Sequence, residues 1–345
     1  MSNQKLFNVA VVGATGAVGE QIIGLLEKRN FPIAELKLLS SARSAGTKIV
    51  FKGKEHTVEE ATPDSFKGVE IALFSAGGDV TKALAPHAVE HGAVCIDNTN
   101  AYRMDPDTPL IVPEVNIDKV NEHKGIIANP NCSTIQMVAA LKPLQDRYGI
   151  SRIIVSTYQA VSGAGSLAIG ELLRQTREVL DGNDVNPAIL PVGSLPVKHQ
   201  IAFNAIPQID KFQDNGYTLE EMKMVRETKK ILGDESIDVT ATCVRIPVVY
   251  GHSESVYVEL KNDYDLEDVK KLLENAPGIE LVDDPAGQRY PLATDAAGKP
   301  EVFVGRLRRD LGSSRGLNMW IVSDNLLKGA AWNAVQIAEY IAIER

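Results

Sequence analysis

The sequence has few cysteines, no long apolar run and no surplus of basic residues. Its three cysteines, Cys95, Cys132 and Cys243, are odd in number and far apart, which argues against a disulfide framework and a zinc cluster. No apolar run approaches the length of a membrane span, and the start MSNQKLFNVAVVG lacks the regions of a signal peptide. We therefore expect a cytoplasmic protein with reduced thiols, no bound metal and no membrane partner.

The charge balance excludes further classes of partner. The net charge is -9, whereas nucleic acids and anionic membranes are bound by basic surfaces. Acidic small molecules must then be held by individual arginines. With 345 residues, 44% of them apolar, the chain is long enough for two domains with full cores.

The first third contains a candidate phosphate-binding turn. FNVAVVGATGAVGEQIIGLLEKR passes from a β-rich apolar run through Gly13, Gly16 and Gly19 into a helical pattern. Such glycines allow a tight turn and close approach to a pyrophosphate at the helix start. The spacing is G-x-x-G-x-x-G rather than G-x-G-x-x-G, so an ordinary βα turn is the alternative. The N-terminal position favours a dinucleotide site.

The end of the second predicted strand indicates which dinucleotide binds. In ELKLLSSARSAG no acidic residue follows Leu39, although a site for NAD usually has one there. Ser40, Ser41, Arg43 and Ser44 instead offer hydroxyls and a guanidinium, which suit a ribose 2′-phosphate. We therefore predict NADP, the alternative being a solvated arginine in a flexible loop.

Three further segments extend the same open sheet. GVEIALFSAGG ends in a loop beginning at Ser75, GAVCIDNTNAYR ends its strand at Asn98, and GIIANPNC leads to Cys132. Ligands bind at the carboxyl ends of such strands, so Cys132 should reach the cofactor edge. Cys95 lies inside an apolar run and is expected in the core.

Cys132 is the candidate nucleophile, although a packed thiol is the commoner role for cysteine. The following STIQMVAALKPL has helical periodicity, with Pro143 predicted to end or kink the helix. A helix N-terminus stabilises thiolate over thiol. A thiolate beside a nicotinamide attacks an aldehyde, passes hydride to the cofactor and leaves an acyl thioester for a second acceptor.

The rest of the chain alternates strand-like and helical stretches without an internal repeat, which predicts one α+β domain. His252, in a predicted turn just past CVRIPVVYG, is the histidine we select as general base for the thiol. Spacing alone does not distinguish it from a structural histidine.

Motifs spread over nearly the whole chain give a family resemblance. They are VAVVGATGAVG, SARSAG, DNTNAYR, VPEVN, NPNCSTIQ, STYQAVSGAG, EEMKM, RIPVVYGH and VSDNLLKGAAWNAVQIAE. Together they resemble the aspartate-semialdehyde dehydrogenases, close to the Gram-positive bacterial form. The resemblance implies reversible, NADP-dependent conversion of L-aspartate 4-semialdehyde plus phosphate to L-4-aspartyl phosphate. That step serves lysine (through diaminopimelate), threonine and methionine biosynthesis.

The resemblance also implies residue roles. Cys132 matches the nucleophile, His252 the acid/base, and Gln159 the amide that orients the substrate and acyl intermediate. The substrate and phosphate contacts it implies are Arg103 and Lys223 for phosphate, Arg245 for the substrate carboxylate, Glu220 for its amino group, and Asn131. The cofactor contacts it implies are Thr15, Gly16, Ala17, Val18, Arg43, Ser44, Ser162, Gly163 and Asn325, the last beside the nicotinamide. Gly13, Ser40 and Ser75, from the glycine turn and the strand ends described above, complete the predicted cofactor contacts. For the charged residues the alternative is a solvated surface position.

The predicted fold class is α/β. An N-terminal Rossmann-type dinucleotide-binding domain spans residues 1–132 and is completed by a C-terminal helix at 326–345, and an α+β catalytic and dimerisation domain spans 133–325. The resemblance implies a homodimer.

Several other functions use parts of this pattern. N-acetyl-γ-glutamyl-phosphate reductase and the glyceraldehyde-phosphate type of dehydrogenase share the cysteine and the cofactor. The first binds an acylated amine and has no use for Glu220 as an ammonium partner. A nucleotide-sensing regulator would not need the thiol, base and phosphate ligands together, and a cysteine hydrolase would not need the dinucleotide loop.

Overall fold

The computed structural model describes residues 5–344, which form two compact units. Unit 1 contains the chain up to Asn131 and the segment from Ala330, and unit 2 runs from Cys132 to Gly329. The sequence places these boundaries after 132 and before 326. In the structure the first boundary follows Asn131 and the second precedes Ala330, since the first residues after the last strand still belong to unit 2. Residues 1–4 and 345 of the predicted first domain lie outside the described part.

The described residues form strands and helices throughout both units. The strands are β1 (Phe7–Val12), β2 (Ile33–Ser40), β3 (Lys48–Phe51), β4 (Lys54–Thr57), β5 (Glu59–Glu60), β6 (Ile71–Phe74), β7 (Val94–Asp97), β8 (Ile126–Ala128), β9 (Ile150–Gln159), β10 (Asp238–Arg245), β11 (His252–Leu260), β12 (Ile279–Leu281), β13 (Val302–Arg309) and β14 (Gly316–Ser323). The α-helices are α1 (Ala17–Lys28), α2 (Gly78–Glu90), α3 (Pro113–Asn116), α4 (Cys132–Tyr148), α5 (Ser166–Leu180), α6 (Leu219–Leu232), α7 (Leu266–Glu274), α8 (Ala293–Ala296) and α9 (Trp332–Glu344). A π-helical turn spans Leu327–Ala331, and 3-10 helices span Ala42–Ser44, Pro63–Phe66, Ile117–Glu122 and Val161–Ala164.

Unit 1 is built on a parallel six-stranded sheet with the order β5-β2-β1-β6-β7-β8. Strands β6 and β7 are nearly continuous apolar runs, such as IALF in β6, and are buried along their whole length. Such runs are typical of parallel strands that are covered on both faces. The sheet therefore brings several strand ends to one edge, where ligands bind in folds of this type.

The C-terminal helix α9 belongs to unit 1. Arg29, just after α1, forms a two-point ion pair with Glu339, with Nε–Oε1 and Nη2–Oε2 distances of 2.6 Å, and lies over the ring of Trp332. Asn333 donates from Nδ2 to Oδ1 of Asn129 at 2.7 Å and to the carbonyl of Ile111 at 3.0 Å. Residues far apart in sequence thus hold α9 against the turn that follows β8.

Unit 2 contains a mixed sheet with the order β10-β9-β11-β14-β13-β12, parallel only at its two outer pairs. Burial alternates along β9 and β11, as expected when one face of a sheet packs on the core. Helices α4 and α6 pack against this sheet. Helix α4 continues through Pro143 to Tyr148, so Pro143 does not end the helix, and the alternative of a kink at this proline stays a prediction. Burial of most of the helix offsets the backbone hydrogen bond that proline removes.

The predicted α/β class is confirmed by the parallel sheet of unit 1 and the mixed sheet of unit 2. None of the helices formed by residues 5–344 has the length and apolarity that a bilayer span requires. The same residues contain no group of three or more His, Cys, Asp or Glu side chains arranged to hold a metal ion.

Candidate active site

The glycine turn of unit 1 leaves the start of α1 open to an anion. Gly13 adopts a φ of +88°, and an added Cβ would lie 2.9 Å from the backbone of Ser75. Gly19 packs so closely on the carbonyl of Gly13 that a side chain has no room. Gly16 is the N-cap of α1 and provides no side-chain cap, so the first-turn N–H groups at Ala17 and Val18 are suited to a pyrophosphate.

Polar side chains follow β2 at the same edge. The hydroxyls of Thr15 and Ser40 lie 3.0 Å apart, and Arg43 and Ser44 form a short 3-10 helix directly after the strand. Arg43 is exposed. The adjacent strand β5 pairs Glu60 with Ser40, so a carboxylate does reach this edge. The sequence of β2 and the loop after it does not reveal this carboxylate, because Glu60 comes from another strand.

Two more predicted cofactor and phosphate residues lie at the ends of β6 and β7. Ser75 donates from its N–H and its Oγ to the carbonyl of Val12. Arg103 is buried and donates from Nε to the carbonyl of Asn129 at 3.0 Å and from Nη2 to that of Asn98 at 2.9 Å. Its guanidinium therefore joins the carboxyl ends of β7 and β8. Asn131 is buried at the end of the same turn.

The three cysteines differ in accessibility. Cys132 is the first residue of α4 and is half-buried, whereas Cys95 and Cys243 are buried. Burial raises the pKa of the Cys95 thiol and raises that of Cys243 well above its usual value. Cys132 is thus the thiol best placed to react.

Strand pairing in unit 2 aligns four polar residues in one row. Arg245 of β10 pairs with Gln159 of β9, and His252 of β11 pairs with Ser323 of β14. Extending the β9–β11 register by one residue from the Tyr158–Ser253 pair places His252 beside Gln159. Paired residues point to the same side of a sheet, so all four side chains share one face. We call them the catalytic row. His252 begins β11 and does not lie in the turn predicted from the sequence.

His252 is fully buried and held by one nitrogen. The N–H of Ala160 donates to its Nδ1 at 3.0 Å, while Nε2 is buried without a hydrogen-bond partner in the described part of the chain. Burial, and then the charge of Arg245, lowers the pKa of His252 to about 3, against an opposing effect of Glu220. A backbone N–H can only donate, so the neutral ring carries its proton on Nε2.

Oppositely charged groups surround Gln159. Glu220 accepts from Gln159 Nε2 through Oε1 and from Lys223 Nζ through Oε2, each at 3.1 Å, and Lys223 also pairs with Asp210 at 3.1 Å. Arg245 donates from Nη1 to the carbonyl of Ala160 at 2.7 Å, and its Nε is buried without a partner among residues 5–344. Burial lowers the pKa of Arg245, and the charges of Glu220 and Cys132 oppose that effect.

The turn after β9 brings two N–H donors together. A Cβ added to Gly163 would lie 3.1 Å from Arg245 Nη1 and 3.3 Å from His252 Nε2, so the space beside this glycine is lined by both groups. Asn325 donates from Nδ2 to Ser162 Oγ at 2.9 Å, and its Oδ1 accepts from the N–H of Gly251. The predicted residues Ser162, Gly163 and Asn325 thus lie in one cluster of unit 2.

Sequence reasoning missed a second buried layer under the catalytic row. Gln136 of α4 donates to the carbonyl of His252 at 3.4 Å and accepts from Ser323 Oγ at 2.9 Å. Glu254, two residues after His252, is fully buried, and burial raises its pKa well above the usual value, with Gln136 opposing the shift. The available signal for Gln136 was its place one helical turn after Cys132. Ser323 and Glu254 gave no signal, because the strand register selects them.

Comparison with known proteins assigns both halves of the chain to one family. Residues 8–123 match the family model described as semialdehyde dehydrogenase, NAD binding domain. Residues 141–328 match the model described as semialdehyde dehydrogenase, dimerisation domain.

Individual relatives match over nearly the full length. The aspartate-semialdehyde dehydrogenase of Bacillus subtilis is 63% identical over 333 residues, which is 96% of each protein. The crystal structure of aspartate semialdehyde dehydrogenase II complexed with ASA from Vibrio cholerae is 51% identical, with a TM-score of 0.92 over 97% of this chain and 98% of that one. The Candida albicans enzyme with NADP is 28% identical, with a TM-score of 0.74 over 97% and 98% of the two chains.

Proposed function

The chain belongs to the aspartate-semialdehyde dehydrogenase family, and on that premise we propose how its residues carry out the reaction. The overall conversion joins L-aspartate 4-semialdehyde and phosphate into L-4-aspartyl phosphate with reduction of NADP, and it is reversible. It supplies the biosynthesis of lysine, threonine and methionine.

One observation carries the residue assignments. Arg245, Gln159 and His252 share one row of the sheet, and burial lowers the pKa of that same Arg245 while a charge on the half-buried Cys132 raises it. Two buried nitrogens of that row, Arg245 Nε and His252 Nε2, have no partner within the described residues. Buried donors without acceptors are costly, and a bound substrate with a carboxylate and a carbonyl oxygen would satisfy both.

Cys132 forms and breaks the covalent bond. Its thiolate bonds to the aldehyde carbon, and the carbonyl electron pair moves to the oxygen. A bound NADP would supply the acceptor for the hydride that this carbon loses as the carbonyl bond forms again. Cys132 then holds the acyl group as a thioester until a phosphate oxygen bonds to the acyl carbon. The C–S bond breaks at that step and the thiolate returns to Cys132.

His252 acts on the substrate oxygen through Nε2. Since Nδ1 accepts from Ala160, the neutral ring presents an N–H at Nε2, which stabilises negative charge as it develops on the oxygen. In this tautomer Nε2 can donate a proton but cannot accept one. The hydrogen bond from Ala160 therefore supports the acid part of the predicted acid/base role and argues against the predicted role as general base for the thiol.

The charged residues near the row recognise the two ends of the substrate. Arg245 binds the carboxylate, as its unpartnered Nε supports, and Glu220 binds the ammonium group. Glu220 now accepts from Gln159 and Lys223, so substrate binding exchanges at least one of these hydrogen bonds. Gln159 would then be released to orient the substrate oxygen. Arg103 and Asn131 of unit 1 and Lys223 of unit 2 remain the predicted ligands of phosphate and substrate.

We propose NADP rather than NAD as the cofactor. Gly13, Gly16, Ala17 and Val18 would hold the pyrophosphate, and Arg43 and Ser44 the 2′-phosphate. The open N-terminus of α1 supports the fit of a dinucleotide phosphate. The guanidinium of Arg43 directly after β2 supports the preference for the 2′-phosphate.

We infer that the protein is a homodimer formed by unit 2. Ile154, Tyr290 and Leu292 are exposed on or beside its sheet. Tyr290 and Leu292 border a groove of about 260 Å³ next to Trp320. Sedimentation of the wild type and of Ile154→Asp would test this, because a charge on a buried interface dissociates the dimer. A monomeric wild type would contradict it. A cytoplasmic location stays a prediction.

The decisive experiment is phosphate-dependent NADPH formation from L-aspartate 4-semialdehyde. N-acetyl-γ-glutamate semialdehyde serves as the matched alternative substrate. Activity that needs phosphate and prefers the aspartate compound is expected. A preference for the acylated compound would assign the sibling reductase activity and remove the role of Glu220.

A further inference from the structure

Gly329 lies directly against the base of Cys132. It is buried in the π-helical turn that follows β14. A Cβ built on Gly329 would lie 2.7 Å from Cys132 Cβ and 3.2 Å from Cys132 Cα. Those atoms are the fixed base of the residue rather than a flexible tip, so they cannot rotate away from an added methyl group.

The backbone does not explain this glycine. Gly329 is not among the glycines of residues 5–344 that adopt a positive φ, and its neighbours Ala330 and Ala331 occupy the same turn. In a helical backbone, alanine is favoured over glycine by about 1 kcal/mol. The contact with Cys132 is therefore the feature that calls for a glycine here.

Both sides of the contact are anchored. Asp324 Oδ1 accepts from the N–H groups of Leu326 and Leu327, and its Oδ2 accepts from that of Gly298 at 2.8 Å. The N–H of Gly329 itself donates to the carbonyl of Asp324. On the other side, Gln136 of α4 accepts from Ser323 of β14. An added side chain would thus find neither the turn nor the helix free to move.

We propose that Gly329 is a positioning residue that sets the place and direction of the Cys132 thiol. The inference rests on the proposed function, in which Cys132 is the nucleophile. π-helical turns occur frequently at functional sites. A displacement of the nucleophile by about 1 Å can lower the rate roughly 10²-fold, because reaction depends on near-attack geometry.

The test compares Gly329→Ala with Gly170→Ala. Gly170 lies on the exposed side of α5 with nothing within 4 Å of its added Cβ, so it controls for the Gly-to-Ala change itself. The measurements are kcat, the KM for NADP, and the rate of iodoacetamide alkylation of Cys132 as a function of pH. We expect Gly329→Ala to lower kcat about 10²-fold, to change the alkylation profile and to leave the KM for NADP unchanged. Wild-type kcat would overturn the proposal, and so would a lower kcat with a wild-type alkylation profile.

A thermal cycle covers the case in which Gly329→Ala folds poorly. Cys132→Gly removes the Cβ that the new methyl group would meet, so Gly329→Ala should lower the Tm less in that background than in the wild type. Equal losses of Tm in both backgrounds would overturn the proposal. The cycle needs no turnover. Because it measures only Tm, its result does not depend on whether the proposed function is correct. The proposed function has a separate test and fails if Cys132→Ser remains active.

Discussion

The N–H of Ala160 donates to Nδ1 of His252 at 3.0 Å, and this bond selects the nitrogen that can act on a substrate. Only Nε2 is left, and it carries the proton of the neutral ring. The geometry is set by β9, which ends one residue before Ala160, and by β11, which begins at His252. The histidine proposed to be catalytic is thus oriented by a backbone N–H group.

His252→Asn should lower kcat by about two to four orders of magnitude, the range for loss of a positioned acid/base. Burial lowers the pKa of His252 to about 3, so the ring takes up a second proton and becomes charged only below that value, and it stays neutral from pH 5 to 9. The pH profile of kcat should therefore show no histidine ionisation near pH 6.5. A mutant that loses only affinity for the semialdehyde would make His252 a binding residue.

Cys132→Ser should abolish turnover and leave NADP binding nearly intact, because a serine hydroxyl lacks the acidity of a thiol at a helix start. Steady-state assays and nucleotide titration measure the two effects. Cys243→Ala is the control, since that thiol is buried against Met224 and its loss should cost only stability. Activity of Cys132→Ser within tenfold of the wild type would exclude the covalent mechanism.

Arg43→Ala should weaken NADP binding by about 1.5 to 3 kcal/mol, the value for a hydrogen bond to a charged group, and should barely change NAD binding. Calorimetric titration of both nucleotides measures the difference. Glu60→Gln is the informative companion variant, because Glu60 pairs with Ser40 at the same strand end. If Glu60→Gln rather than Arg43→Ala changes the preference, the carboxylate sets it.

Arg103→Lys should raise the KM for phosphate strongly, because lysine cannot make a two-point contact with phosphate oxygens. Arg245→Lys should mainly raise the KM for the semialdehyde. Saturation curves in the phosphorylating direction separate the two effects. Arg103 also donates to the carbonyls of Asn98 and Asn129, so its replacement could disturb the local structure. An unchanged affinity of Arg103→Lys for NADP is the control that excludes this effect. An Arg103→Lys variant that shifts only the semialdehyde curve would mean the two arginines are assigned the wrong way round.

Glu254→Gln should make stability less dependent on pH. Burial raises the pKa of Glu254 in the folded state well above that of the unfolded chain, near 4.3. The folded protein then keeps the protonated form of Glu254 at pH values where the unfolded chain has lost the proton. The free energy of unfolding therefore falls as pH rises from 4 toward the folded pKa, by up to about 1.4 kcal/mol per pH unit. Urea unfolding between pH 4 and 8 should show that the free energy of unfolding falls more with rising pH in the wild type than in the variant. Parallel curves would contradict a protonated Glu254.

Local sequence was sufficient for the parts of the site that lie within one segment. Gly13, Gly16 and Gly19 mark a strand-turn-helix unit by their spacing, and Cys132 is marked by the turn and helix around it. The family resemblance alone predicts Arg245 and Gln159, spacing alone does not distinguish His252, and Ser323 is not predicted. Local sequence does not show that these four residues form one row, because they come from strands whose pairing is set by the whole sheet.

Close packing was equally hidden from the sequence. Glu60 reaches the nucleotide edge only through the pairing of β5 with β2. In the sequence KGAAW nothing distinguishes Gly329 from the small residues beside it, because its contact with Cys132 exists only in the folded structure.

The discontinuity of unit 1 has a consequence for synthesis on the ribosome. Chains emerge N-terminus first, and domains fold as units as they emerge. All of unit 2 leaves the ribosome before α9, which supplies Glu339 to Arg29 and Asn333 to Asn129. A chain interrupted at residue 329 would contain the whole catalytic row, yet the turn leading to Cys132 would lack the amide of Asn333. The segment from Ala330 onward thus completes the unit that the N-terminal segment begins, and unit 1 reaches its full set of contacts only after all of unit 2 has been translated.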